Sequence, residues 1–184
     1  MQEVHRKSVT LVLGGVRSGK SRFALEMASR SFTVCFIATA QASDEEMRRK
    51  IDRHRGERPA HWWTVEEQLD LARAIALSDE QCGLVLIDCL TLYAANLMEA
   101  HGEDAAAIEK SVAAVAAAVQ NASCSIVLVS NEVGSGIVPA YQAGRRFRDL
   151  LGDLNQRIAA RADRVVLMVA GLPLAIKGTT EAAR

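Results

Sequence analysis

The chain has 184 residues, 49% of them apolar and 24% charged, with 22 basic and 22 acidic side chains in balance. That is enough chain for one well-buried domain and short for two, so residues 1–184 are read as a single domain. The zero net charge gives no argument for a nucleic-acid or anionic-membrane partner, no stretch approaches the about 18 consecutive apolar residues of a membrane span, and Met1 to Lys7 is polar, which points to a cytoplasmic protein.

Ser8 to Leu13 is a short aliphatic run that reads as a buried parallel strand. It leads into Gly14-Gly15-Val16-Arg17-Ser18-Gly19-Lys20-Ser21, which fits the phosphate-loop pattern Gly-x-x-x-x-Gly-Lys-Ser, and Ser21 to Ala28 then spaces apolar groups as a helix does. The glycines let the backbone wrap a polyphosphate, the amides and the helix N-terminus point at its oxygens, Lys20 adds a cation, and the Ser21 hydroxyl is a ligand for Mg²⁺. The chain is therefore expected to bind a nucleoside triphosphate.

Thr33 to Ala38 reads as a second buried strand closing a β-α-β unit, and Thr39, Ala40 and Gln41 at its carboxyl end are expected to face the nucleotide. Ser43 should cap the next helix, about 44–55, which is rich in cations: Arg48, Arg49, Lys50, Arg53 and Arg55, with His54 among them. This basic insertion, about 44–58, ends at Gly56-Glu57-Arg58-Pro59 and is followed by both tryptophans, Trp62 and Trp63. A cationic helix with a histidine, next to an aromatic pair and a phosphate loop, is suited to hold a transferred phosphoryl or nucleotidyl group. His61, beside the tryptophans, reads as structural.

Val65 to Ser78 has the spacing of an amphipathic helix with Leu69, Ala72, Ile75 and Ala76 inward. Leu84 to Asp88 is a hydrophobic strand ending in a carboxylate, the form of a Walker B segment that holds Mg²⁺ or its waters. Helices follow at 91–100 and 104–121, the second rich in alanine for packing on the sheet. Ser125 to Val129 is a further strand, 130–139 a glycine-bearing loop at its carboxyl end, and Tyr141 to Arg161 a long helix burying Phe147, Leu150, Leu151, Leu154 and Ile158. Val165 to Val169 is the fifth strand and 174–177 an edge strand, with a frayed tail at 178–184. Cys35, Cys82, Cys89 and Cys124 lack Cys-x-x-Cys spacing and read as small buried thiols.

Several of these segments together resemble one family. They are the phosphate loop through Arg22; His54 through Arg58-Pro59, Trp62, Thr64 and Glu66; Leu86-Ile87-Asp88-Cys89-Leu90-Thr91; Asn131-Glu132-Val133-Gly134-Ser135-Gly136-Ile137-Val138-Pro139; and Arg146-Phe147-Arg148-Asp149 with Asn155-Gln156. In this order, across nearly the whole chain, they resemble the bifunctional adenosylcobinamide kinase and adenosylcobinamide-phosphate guanylyltransferase family. The resemblance implies a three-layer α/β fold of the P-loop NTPase, RecA-like kind, with a mostly parallel sheet and one edge strand.

It also implies two reactions. ATP or GTP phosphorylates the hydroxyl of the adenosylcobinamide arm; GTP then guanylylates a histidine, and GMP passes to the new phosphate, giving adenosylcobinamide-GDP and pyrophosphate. The resemblance puts the nucleophile at His54, with Lys20 as the second catalytic residue, and the surrounding arginines would offset developing phosphate charge and keep the imidazole neutral. Nucleotide contacts are implied at Gly14 to Ser21, that is Gly14, Gly15, Val16, Arg17, Ser18, Gly19, Lys20 and Ser21, at Thr39, Ala40 and Gln41, at Arg55, Gly56, Glu57 and Arg58, and at Glu66 and Asp88. Glu66 is a suitable partner for the guanine edge, Mg²⁺ falls to Ser21 and Asp88, and a homo-oligomer, specifically a trimer, is implied. The two transfers use different phosphorus atoms, so the helix bearing His54 is expected to move between them. A small-molecule kinase without guanylyl transfer, and a regulatory nucleotide-binding switch, are the alternative readings.

Overall fold

A computed structural model describes residues 7–42, 44–56 and 58–179, without the side chains at 46, 50 and 54. The order is β1 (Val9–Gly14), α1 (Lys20–Ala28), β2 (Val34–Ala38), α2 (Glu45–Gly56), β3 (Trp63–Glu66), α3 (Leu71–Asp79), β4 (Leu84–Asp88), α4 (Leu90–His101), α5 (Ala105–Asn121), β5 (Ser125–Asn131), α6 (Gln142–Arg161), β6 (Arg164–Val169) and β7 (Leu172–Lys177). The seven strands form one sheet in the order β3-β2-β4-β5-β1-β6-β7, in which only the β6–β7 pair is antiparallel.

The aliphatic runs become strands because both faces of this sheet are covered. Val9, Leu11, Cys35, Ile37, Val85, Ile87, Ile126 and Leu128 belong to the core shared with α3, α4, α5 and α6. The alternate residues, among them Val12, Phe36, Leu86 and Val127, pack with Phe23 and Ala24 of α1. A strand buried on both sides reads as a continuous apolar run, which is why β1, β2 and β4 stand out in the sequence. The fold is thus three-layered and mostly parallel, with β7 as its antiparallel edge. Pro173 sits within β7, where a missing N–H is tolerated, and Ala170 (φ 51°) and Gly171 (φ 83°) make the tight turn that leads into it.

The amphipathic helix expected over 65–78 is corrected at its start. Trp63–Glu66 is a short strand beside β2, and the helix begins only at Leu71. Side chains impose the break: Glu67 Oε1 accepts the backbone N–H groups of Leu69 and Asp70, each at 2.9 Å, and Asp70 accepts that of Arg73 as the N-cap. The buried stripe is accordingly Leu71, Ala74, Ile75 and Ser78, while Leu69 and Ala76 are exposed. The alanine-rich α5 buries Val112, Val115, Ala116 and Val119 in the same cluster as strand residues such as Val85 and Ile126, with α3, α4 and α6 as its neighbouring helices. Ser43, expected to cap α2, lies outside the described residues; Asp44 accepts the Met47 N–H at 2.7 Å there. Of the tail expected to fray, 180–184 lie outside the described residues.

All four cysteines are free thiols, Cys35 and Cys124 buried and Cys82 and Cys89 partly so. Burial pushes Cys35 up to about 11 and Cys124 up to about 12, so both stay protonated at neutral pH. Cys124 lies beside an acid that ties α3 to the start of β5: Asp79 accepts from Ser123 N, Ser123 Oγ and Cys124 N. Burial opposes the charge on Asp79, but these hydrogen bonds outweigh it and hold the carboxyl at about 2.

A carboxyl lowered on folding stabilises the native state above its unfolded pKa and loses that contribution as pH falls through the folded value. Asp79→Ala is therefore expected to lower stability by about 1–2 kcal/mol at pH 7. The gap to the parent chain should narrow between about pH 4 and pH 2, as followed by urea unfolding.

Candidate active site

The site starts at β1, which lies between β5 and β6 and ends at Gly14. A Cβ at Gly14 would collide with Ser18 Oγ and lie 2.8 Å from the Met168 carbonyl oxygen, so only glycine lets the loop fold back this tightly. Arg17 (φ 57°) and Gly19 (φ 93°) take the left-handed conformation. Gly19 is the N-cap of α1 and makes no side-chain cap, which leaves the first N–H groups of the helix for an anion. The loop is braced by Ser18 N donating to Gly15 O (3.3 Å) and Gly171 N donating to Ser18 O (3.0 Å). Lys20 Nζ donates to Gly15 O at 3.0 Å; burial lowers its pKa, with Cys89 and Asp88 working in the opposite direction.

Beyond the loop lies a cleft of about 1010 Å³. Its walls are Val16 to Ser21 of the loop, Ala40 and Gln41 after β2, Asp88 at the tip of β4, Asn131 at the tip of β5, and one side of α2 through Met47, Arg48, Ile51, Arg53 and Arg55. Ligand sites in open α/β sheets form at this carboxyl edge, because parallel strands deliver their tips to the same side. Arg58 closes the cleft near Asp88 and Glu66. Its guanidinium lies 3.7 Å from the centroid of the Phe36 ring, and burial lowers its pKa while Asp88 opposes that. Arg58 Nε is buried without a hydrogen-bond partner. Arg55 pairs with Glu66, which raises the arginine's pKa, and lies 3.7 Å from Asp52.

The residues expected from the sequence separate into groups. Val16 to Ser21, Ala40, Gln41, Arg55, Arg58, Glu66 and Asp88 all line one cleft. Gly14 and Gly15 shape the loop from behind. Thr39 is turned inward: fully buried, it donates from Oγ1 to Cys89 O (2.7 Å) and accepts from Cys89 N (2.8 Å), locking the tips of β2 and β4 together. Gly56 ends α2 in an exposed position, and Glu57 lies outside the described residues. His54 falls on α2 between Arg53 and Arg55, both of which line the cleft; its side chain lies outside the described residues. His61 is exposed, Trp62 buried and Trp63 42% exposed.

Asn131, Thr91 and Cys89, which the sequence marked as part of the family resemblance but gave no site role, also line the cleft. Asn131 belongs to β5 rather than to the loop, and the signal available for it is that polar Ser130-Asn131 follows directly on an aliphatic run, as Asp88 does in β4.

A glycine loop that closes a parallel strand onto a helix, with a lysine and a strand-tip acid converging on it, defines the P-loop NTPase class. The chain belongs to the cobinamide kinase / cobinamide phosphate guanyltransferase family, whose model matches residues 10–176. It is 46% identical over 169 residues to the bifunctional adenosylcobalamin biosynthesis protein CobP of Pseudomonas aeruginosa, an alignment spanning 91% of this chain and 96% of that protein. With the bifunctional adenosylcobalamin biosynthesis protein CobU of Escherichia coli it shares 40% identity over 178 residues, spanning 91% and 98%. Among solved structures, a prototypical ATPase from the type III secretion system of pathogenic bacteria superimposes with a TM-score of 0.53 at 12% identity. That alignment covers 95% of this chain and 60% of the ATPase, and it shows the fold alone.

The two loop glycines are expected to respond differently to alanine. Gly14→Ala should destabilise the chain by about 1–3 kcal/mol, because the Met168 carbonyl is backbone and cannot yield cheaply. At Gly15 an added Cβ meets nothing within 4 Å, so stability should stay within about 0.5 kcal/mol of the parent. Thermal unfolding of the two variants checks the contrast.

Proposed function

We propose that this chain phosphorylates adenosylcobinamide with ATP or GTP and then transfers GMP from GTP, through a guanylyl-histidine, to give adenosylcobinamide-GDP and pyrophosphate. The observation that carries the reading is that a single cleft joins the phosphate loop and Asp88 to the arginine-bearing face of α2, the helix on which His54 lies.

The residues divide the work by charge. In the first reaction the substrate hydroxyl attacks the γ-phosphorus while Lys20 and the loop amides hold the phosphate oxygens. In the second, an imidazole nitrogen of His54 bonds to the α-phosphorus as the bond to the α–β bridging oxygen breaks and pyrophosphate leaves. The new substrate phosphate then attacks that phosphorus and frees the histidine. Arg48, Arg53, Arg55 and Arg58, which line the cleft, are cations able to offset charge on the transferred group, and Glu66 would exchange Arg55 for the guanine edge.

The donor set fits Mg²⁺. Ser21 and Asp88 are hard oxygen donors on one cleft, and among the described residues no group of three His, Cys, Asp or Glu forms a cage. An ion that keeps its waters and takes phosphate oxygens is suited to such a site, where it would neutralise β- and γ-phosphate charge. The reading includes a single domain over 1–184, a cytoplasmic enzyme, and a homo-oligomer, a trimer by family resemblance. No described helix is long and apolar enough to cross a membrane.

Incubation with Mg²⁺ and α-labelled GTP, followed by denaturation and mapping, tests the histidine step. An acid-labile label on His54 that His54→Ala abolishes and His61→Ala retains is the expected result. A wild-type chain that binds GTP and phosphorylates adenosylcobinamide but takes no label would instead be a kinase without guanylyl transfer, and one that turns over no corrinoid would be a nucleotide-binding switch.

A further inference from the structure

Among the 12 residues of α2 only Met47 and Ile51 carry large apolar side chains. They are four apart, so they share one face of the helix, and Arg55 continues the same row. A polar surface helix ordinarily turns such a stripe to the core. Here Met47 and Ile51 line the cleft instead; both are half-buried, and neither belongs to or packs against the two buried clusters that form the core. Val16 of the phosphate loop, 82% exposed, is a further apolar group on the same cleft.

Apolar groups that face an open cleft lack the burial that a ligand with apolar surface would supply. The phosphates and ribose of a nucleotide offer none. The base does, but Glu66, the partner suited to the guanine edge, pairs with Arg55 at the far end of the row. At about 1.5 Å per residue, Met47 stands about 12 Å along the helix from Arg55. The family's other substrate is a corrinoid, a broad macrocycle whose hydrocarbon surface is fringed with amides and whose arm must bring a hydroxyl to the γ-phosphorus. With a volume of about 1010 Å³ the cleft matches the largest ordinary small-molecule sites, roughly 300–1,000 Å³, as a place where two substrates meet requires.

We infer that Met47 and Ile51 form the corrinoid-binding wall of the cleft, packing on the hydrocarbon surface of adenosylcobinamide beside the arm whose hydroxyl is phosphorylated. The inference rests on the kinase half of the proposed function and gives the corrinoid its place in that site. The order along α2 then has a meaning: Met47 and Ile51 meet the corrinoid, and one turn further on His54 and Arg55 meet the nucleotide. Attack of His54 on GTP involves no corrinoid, so the two apolar side chains serve the steps in which the corrinoid is the acceptor and not the labelling of the histidine.

The full-length protein carrying Met47→Gln and Ile51→Gln together tests this, beside one carrying Met47→Leu and Ile51→Leu. Glutamine and leucine both suit a helix, so each variant should unfold within about 2 °C of the parent. KM for adenosylcobinamide at saturating nucleotide is expected to rise about 5- to 50-fold in the glutamine variant and to stay within about twofold of the parent in the leucine variant. KM for the nucleotide, and the rate of histidine labelling by α-labelled GTP without corrinoid, should stay within about twofold of the parent in both. A KM for the nucleotide that rises with that for the corrinoid would set the pair against the base and overturn the inference. So would a glutamine variant with the parent's KM for adenosylcobinamide, or one whose oligomeric state changes in analytical ultracentrifugation, which would make the stripe a contact between copies. A parent that makes no cobinamide phosphate removes the proposed function and the inference with it; an active parent and an unaffected glutamine variant remove the inference alone.

Discussion

The tight reversal of the chain at Gly14 is the constraint on which the site depends. Because no Cβ intervenes, Ser18 folds back against the end of β1, and α1 starts with its N-terminus at the carboxyl edge of the sheet. Gly171, in the turn before β7, braces the same loop through Ser18 O, so the far edge of the sheet also helps fix the phosphate loop. With that loop in place, parallel pairing carries Asp88 and Asn131 to its side without any further device.

Electrostatics then give the cleft a character the whole chain does not have. Basic and acidic residues cancel over the sequence, yet Lys20, Arg48, Arg53, Arg55 and Arg58 all border one cavity. Three of them have specific partners: Lys20 a loop carbonyl, Arg55 Glu66, and Arg58 an aromatic face with the field of Asp88 nearby. A polyphosphate entering the cleft offers better acceptors than a carbonyl or a half-exposed carboxylate, so binding amounts to an exchange of partners rather than the capture of an anion by bare cations.

Much of this was legible in the chain, for physical reasons that also explain the exceptions. Strands buried on both faces, such as β1 and β4, are written as unbroken aliphatic runs, and the phosphate loop constrains residue type at almost every second position. The edge strand β3 is not written that way. It has four residues, pairs only with β2, and exposes Trp63, Thr64 and Glu66, so its apolar content is indistinguishable from a helical start. The turn that separates it from α3 depends on Glu67 and Asp70 choosing backbone partners, a choice visible only in three dimensions. At the cleft, position at a strand tip pointed to Ala40, Gln41 and Asp88, and these three line it. It did not reveal that Thr39 spends its hydroxyl on Cys89, or that Asn131 is still within β5.

The function of this chain turns on one nucleotide cleft, built on the phosphate loop. Titration with a non-hydrolysable GTP analogue in the presence of Mg²⁺ measures it directly. One nucleotide bound per chain, and binding lost in Lys20→Ala, is the result the account requires. Two nucleotides per chain, or a single one that Lys20→Ala binds undiminished, would contradict it.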